Sequence, residues 1–171
     1  MNLDDLPPVE VMWEGKFVRA LRRGKWEYAS RSRDIGAVVI LAEYEGKVIL
    51  IDQPRVAPDC RCVEIPAGLV GDEDPNATVE STAIKELEEE TGFTAERVER
   101  LGEFYSSPGM LSEGFALVRA HGVRKIGKGG GDENEDINVH LVPRAEIANF
   151  LEQKRAEGFG VDVKLLLLLN F

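Results

Sequence analysis

Apolar residues recur along the chain at two spacings, and the change from one to the other outlines the fold. Two dense apolar runs, 35–42 and 47–52, flank Glu45-Gly46 and predict a buried hairpin. Upstream, 11–20 and 25–31 read as strands around an Arg22-Arg23-Gly24 turn, after a lead-in, 1–9, in which Pro7-Pro8 discourages regular structure. Alternation in the second of these strands puts Trp26 and Tyr28 on one face, either as core or as a platform for a stacked ring. Further strands are expected over 98–105, 113–120 and 137–142, the first two joined by a Ser106-Ser107-Pro108-Gly109 loop.

Helical spacing takes over at Val79, Ala83, Ile84 and Leu87, predicting an amphipathic helix capped by Thr78, with Glu80 in its first turn and Gly92 as its stop. Two more helices are expected, over 143–158 with Ile147, Phe150 and Leu151 inward, and over 162–169. Strands before and after one acidic helix, with two helices near the end, describe an α/β chain.

A length of 171 residues is most economically one domain, 1–171, with 1–34 as lead-in and hairpin and 35–171 as the core. The 21 basic and 31 acidic residues give a net charge of -10, which opposes binding to a nucleic-acid backbone. Such a chain can still hold a phosphorylated small molecule where a divalent metal and a few arginines reverse the local potential. Cys60 and Cys62 make no disulfide framework, and with His121 and His140 as the only histidines a zinc site is poorly supplied. The N-terminus lacks the regions of a signal peptide and the longest apolar run, 165–169, is too short to cross a bilayer, so a cytoplasmic protein without a membrane partner is expected.

The acidic helix carries the densest chemistry. Glu86, Glu89 and Glu90 share a face, either as a solvated surface or as hard ligands for Mg²⁺, Mn²⁺ or Ca²⁺. Arg55, in Gln53-Pro54-Arg55, is a lone cation upstream, suited to a surface ion pair or to a diphosphate. The acidic, glycine-rich stretch 127–136 reads as a flexible surface loop.

Lys85-Glu86-Leu87-Glu88-Glu89-Glu90-Thr91-Gly92-Phe93 resembles the second half of the Nudix box, with Lys85 in place of the family arginine. In the first half the count from Lys85 puts Ala77, and the count from Gly68 puts Asp74, at the family's first glutamate, which reads as a three-residue insertion between Gly71 and Ala77 with Asp74 as the stand-in. Pro108, sixteen residues past Gly92, the stretch Glu133-Asn134-Glu135-Asp136-Ile137, and the Trp26-Glu27-Tyr28 and Gln53-Pro54-Arg55 segments are similar to the ADP-ribose pyrophosphatase group. The resemblance implies a Nudix α/β/α sandwich with a mixed sheet and an N-terminal β-hairpin extension. It implies metal at the Ala67 carbonyl, Glu86 and Glu90, with Glu89 assisting, Glu135 contributing and Glu133 as general base. Mg²⁺ is the implied ion, with Mn²⁺ as a substitute. Substrate contacts would come from Arg55, Trp26, Tyr28, Met110 and Glu113, the aromatics reaching across a homodimer. The implied reaction is hydrolysis of ADP-ribose to AMP and ribose 5-phosphate. GDP-mannose or another nucleotide sugar is the alternative substrate, and a non-cleaving ADP-ribose binder is the alternative of a different class.

Overall fold

The computed structural model describes residues 2–33, 35–72, 74–133 and 135–169. Three strands open it, β1 (Glu10–Glu14), β2 (Val18–Arg23) and β3 (Trp26–Arg31), forming an antiparallel sheet of their own. The N-terminal extension is therefore three-stranded rather than a single hairpin. The expected strand 11–20 is broken where the chain reverses between Glu14 and Val18, closed by a Gly15 N–H to Val18 carbonyl bond of 2.8 Å. Gly24 supplies the positive φ of the next reversal.

The core follows with β4 (Gly36–Leu41), β5 (Glu43–Tyr44), β6 (Lys47–Arg55), β7 (Cys60–Glu64), β8 (Ala67–Val70), α1 (Val79–Thr91), β9 (Phe93–Thr94), β10 (Arg97–Tyr105), β11 (Gly114–His121), β12 (Arg124–Lys125), β13 (Asn138–Pro143), α2 (Ile147–Ala156) and β14 (Gly160–Val161). One mixed sheet runs β10-β11-β4-β8, with β11 and β4 parallel. The other runs β13-β6-β7-β14, with β7 and β14 parallel and β5 paired to β6. The short strands β9 and β12 pair with each other.

The two apolar runs are thus not partners in one hairpin. β4 and β6 lie in different sheets because the chain leaves β4 at Ala42, whose carbonyl still accepts from Ile49 N–H at 2.9 Å. The hairpin at Glu45-Gly46 joins β5 to β6, and both turn residues have positive φ, which matches the twist of a two-residue connection.

The continuous apolar character of β4 has a direct cause. Val39 and Leu41 face one core with Leu50, Val63, Leu117 and Ile147, while Val38 and Ile40 face a second core with Ala83, Leu87, Phe93 and Val118. A strand buried on both faces needs apolar residues at every position. α1 covers the second core. The first is closed by α2 and by a 3₁₀ segment, Val163–Leu169, through Leu165 and Leu168. Two helical expectations change here: α2 begins only after a 3₁₀ turn, Arg144–Glu146, and ends at Ala156, and the last segment is 3₁₀ rather than α.

Candidate active site

α1 is fixed at both ends by its own sequence. Thr78 accepts from Ser81 N–H at 3.1 Å and Ser81 Oγ accepts from Thr78 N–H at 2.9 Å, a reciprocal cap. At the other end Gly92 takes φ 72° and donates to the Glu88 carbonyl. Ala83 and Leu87 anchor the helix, and the same side carries Glu90 inward, leaving it 4% exposed.

Glu90 is deeply buried and accepts a backbone hydrogen bond. Ala67 N–H donates to its Oε2 at 3.1 Å, so the β8 backbone meets this carboxyl through a donor. Burial pushes the Glu90 carboxyl up to about 9; the Ala67 N–H opposes that, and the neighbouring negative charges of Glu86, Glu135 and Glu64 add to it. Glu86 lies against Gly68, where an added Cβ would come within 2.1 Å of the Glu86 carboxyl carbon. The glycine of Pro66-Ala67-Gly68 is thus required by the side chain it faces, since any larger residue would displace Glu86.

Glu89 is half-exposed and pairs with Lys85 at 3.1 Å, one turn earlier. The lysine that replaces the family arginine therefore still grips a carboxylate of the helix. Among the described residues, no three His, Cys, Asp or Glu side chains stand gathered as a ready cation cage, so the shared face of Glu86, Glu89 and Glu90 does not by itself bring them to one point. Asp74, the expected stand-in in the entry loop, is exposed and turns on its own backbone, accepting from Asn76 N–H at 2.9 Å.

The acidic loop is attached rather than loose at its glycine end. Gly130 N–H donates to the Glu90 carbonyl at 2.9 Å, Gly131 N–H to the Glu89 carbonyl at 3.0 Å, and Ile126 and Gly127 N–H to the Gly92 carbonyl at 2.8 and 3.0 Å. These carbonyls have no partner within a helix, so the loop completes the end of α1. A Cβ at Gly129 would come within 2.3 Å of the Thr91 backbone, which makes close approach the reason for that glycine. Beyond this point Glu135 accepts from Asp132 N–H at 3.1 Å, and Glu133 is exposed. Asn134 lies outside the described residues.

Arg55 is not a lone cation. Its Nε and Nη2 donate to the two carboxylate oxygens of Glu64, both at 2.7 Å, and Glu64 is 3% exposed. The hydrogen bonds to Glu64 raise the Arg55 pKa against the cost of burial, with Glu90 and Asp162 adding to the field. Glu64 escaped the sequence reading, although a glutamate opening Glu-Ile-Pro-Ala-Gly at the end of an apolar strand was a signal for it.

The remaining expected residues form a second group. β3 docks on the loop before β11 through Ala29 N–H to the Met110 carbonyl at 2.8 Å and Ser112 N–H to the Ala29 carbonyl at 3.0 Å. Arg31 pairs with Glu113 at 2.9 Å. Met110 and Trp26 are exposed and Tyr28 is half-buried, so neither aromatic is core. Trp13 on β1 and Phe17 in the reversal before β2 are exposed on the same N-terminal extension, and neither stood out in the sequence.

A Nudix domain model matches residues 32–160. The chain is 38% identical over 147 residues to a GDP-mannose pyrophosphatase of Cronobacter sakazakii, covering 81% of this chain and 73% of that protein. It is 48% identical over 122 residues to an ADP-ribose pyrophosphatase of Bacillus subtilis, covering 70% of this chain and 64% of that one, so it spans about two thirds of that relative's length. A solved structure of an ADP compounds hydrolase superposes with a TM-score of 0.67 at 25% identity, over 86% of this chain and 82% of the other. The chain belongs to the Nudix family.

Proposed function

We propose that this Nudix protein is a divalent-cation-dependent pyrophosphatase acting on nucleoside diphosphate sugars, with ADP-ribose as first substrate, cleaved to AMP and ribose 5-phosphate. The observation that carries the reading is Glu90, a carboxyl whose burial, with Glu86, Glu135 and Glu64 in range, pushes its pKa up to about 9 although Arg55 lies within its field. A site in that condition fits a hard cation with oxygen ligands. Glu86 and Glu90 would hold it, with the Ala67 carbonyl and Glu135 at its edge and Glu89 assisting. When bound, a Mg²⁺ or Mn²⁺ ion supplies neutralisation of diphosphate charge and acidifies water.

The chain's own groups do the rest. Glu133 takes the proton from the attacking water. The water oxygen bonds to one phosphorus, the bridging oxygen leaves with the other phosphate, and two phosphomonoesters result. Arg55, its Nε and Nη2 held by Glu64, turns its Nη1 edge toward phosphate oxygens. Trp26 and Tyr28 stack on the base, and Met110 and Glu113 border the ribose.

The whole chain acts as one Nudix domain with an N-terminal extension, working in the cytoplasm as a homodimer whose partner covers the exposed aromatics of the extension. Light scattering at working concentration should give twice the chain mass; a monomer removes the cross-subunit contacts and leaves the chemistry. GDP-mannose is the second reading, supported by the Cronobacter sakazakii relative. A panel of nucleotide sugars with Mg²⁺, with products separated by chromatography, decides between them. ADP-ribose should give AMP and ribose 5-phosphate fastest; binding without turnover across the panel would make the chain a regulator instead.

A further inference from the structure

The proposed mechanism leaves one buried polar network unused. Asp52, 1% exposed, accepts from Arg61 Nε at 2.7 Å and Asn138 Nδ2 at 2.9 Å, and lies 2.6 Å from His140 Nε2. Arg61 then reaches out of the sheet. Its Nη1 donates to Asp136 Oδ2 at 2.6 Å, and its Nη2 to the Asp136 carbonyl at 2.8 Å and the Asp52 carbonyl at 3.1 Å. Every nitrogen of the guanidinium is therefore committed, half to a buried aspartate and half to the end of the acidic loop. At the other end of that loop Gly130 and Gly131 are bonded to the last carbonyls of α1. Between these anchors lie Glu133 and Glu135.

We propose that Arg61 is a positioning residue for the reaction, tying Asp136 to the buried Asp52 so that the loop span carrying Glu133 and Glu135 is held in place beside Glu86 and Glu90. The assignment rests on the reading of Glu133 as general base. A planar fork suits this task because it fixes direction as well as distance, which a lysine ammonium does not. Without the tie the fold should persist, since the buried Ile137 and its N–H contact to the Gly130 carbonyl at 3.4 Å still close the loop. What is lost is the placement of the base, and misplacement on the order of 1 Å costs up to about 10²-fold in rate.

Asp136→Ala removes the carboxylate half of the loop contact, leaving the Arg61 Nη2 bond to the residue-136 carbonyl and the Arg61–Asp52 pair intact. It should lower kcat about 10- to 10²-fold with KM changed less than about twofold, and with Tm unchanged. Arg61→Lys should show the same split, because its single ammonium cannot serve both aspartates. In a Glu133→Gln background Asp136→Ala should cost almost nothing more, the mark of two residues acting through one step. Hydrogen exchange at the amides of Asp132, Glu133 and Glu135 should rise about tenfold or more in Asp136→Ala while the α1 amides stay protected. Unchanged loop exchange, wild-type kcat in Asp136→Ala, or full additivity with Glu133→Gln overturns the assignment. If Glu133→Gln itself keeps full kcat, or the wild type cleaves no nucleotide sugar, the functional reading fails instead, and the exchange experiment still decides whether Arg61 restrains the loop.

Discussion

Asp52 and Glu90 are almost equally hidden, yet their surroundings drive them in opposite directions. Burial disfavours the charge of Asp52, but hydrogen bonds from Asn138, His140 and Arg61 outweigh it and hold the carboxyl below its ordinary range. Glu90, as little exposed but set deeper among protein atoms, has one backbone N–H to offset a heavier desolvation and three other glutamates in range, so its carboxyl is pushed up to about 9. The lesson is that burial alone does not mark a functional acid. A buried carboxylate held by hydrogen bonds from its own chain is an anchor, and one with further carboxylates in range is the kind of group that the proposed cation would satisfy.

The largest effect should follow from removing the Glu90 carboxyl. Glu90→Gln keeps the shape of the side chain and should cost about 10²–10³-fold in kcat at saturating Mg²⁺, the scale of losing one electrostatic contributor to a transition state. Its effect on the metal-free protein should be opposite in sense. Folded wild type retains on Glu90 a proton that an unfolded glutamate releases above about 4.3, so stability falls as pH rises from there toward about 9. The glutamine variant lacks that slope. Thermal unfolding with chelator at pH 5 and pH 8 should show the variant gaining on wild type as pH rises. Turnover within about threefold of wild type, under about 1 kcal/mol in barrier, would remove Glu90 from the metal site.

A second substitution acts on the same site through its support. Gly68→Ala places a Cβ in the space of the Glu86 carboxyl, and the flexible glutamate rather than the backbone must give way. Mg²⁺ affinity measured by calorimetry should fall about 10- to 10²-fold, the usual cost of disturbing what orients a ligand, with Tm little changed. Equal metal affinity would show that Glu86 binds from another rotamer.

The anchor should behave differently. Asp52→Asn leaves Arg61 and His140 facing an amide and should cost about 1.5–3 kcal/mol of stability near neutral pH, the range for hydrogen bonds to a charged group. Because the folded Asp52 pKa is lowered, its contribution is present above the ordinary carboxylate range and disappears as pH falls through the folded value. Denaturant melts should therefore show the gap between variant and wild type closing toward acid pH. A gap independent of pH would mean that packing, not charge, is what the substitution removed.

Much of this contrast was legible in the sequence, and the illegible part has a common cause. The spacing of Val79, Ala83 and Leu87 and the signals at Thr78 and Gly92 were enough to place α1, because caps and periodicity are local. The separation of β4 from β6 was hidden, since a doubly buried strand reads as apolar in either sheet. Glu86, Glu89 and Glu90 stood out as a row of like charges. Asp52 and Glu64 did not, because their partners Arg61 and Arg55 sit on the neighbouring strand, diagonal to the register partners, and no sequence spacing announces such a pairing. The glycines of the acidic loop read as freedom, whereas Gly129 is needed for close packing on α1.

The smallest effect expected is at Lys85, where the chain departs from the family arginine. Lys85 and Glu89 are each 48% exposed and 3.1 Å apart, one helical turn from each other. Exposed pairs at this spacing contribute about 0.3–0.5 kcal/mol, and lysine on the N-terminal side is the weaker order. Lys85→Ala should therefore move stability by less than about 0.5 kcal/mol, and high salt should erase the difference. The effect on turnover is the sharper measurement. Glu89 stands outside the buried cluster, so with Glu86 and Glu90 untouched kcat should stay within about threefold, or under about 1 kcal/mol in barrier. A loss of about tenfold or more, partly recovered by Lys85→Arg, would place Glu89 beside the other two as a ligand held in position by the basic residue. The group of functional carboxylates would then extend to the exposed face of α1, and the contrast with Asp52 would concern three glutamates rather than one.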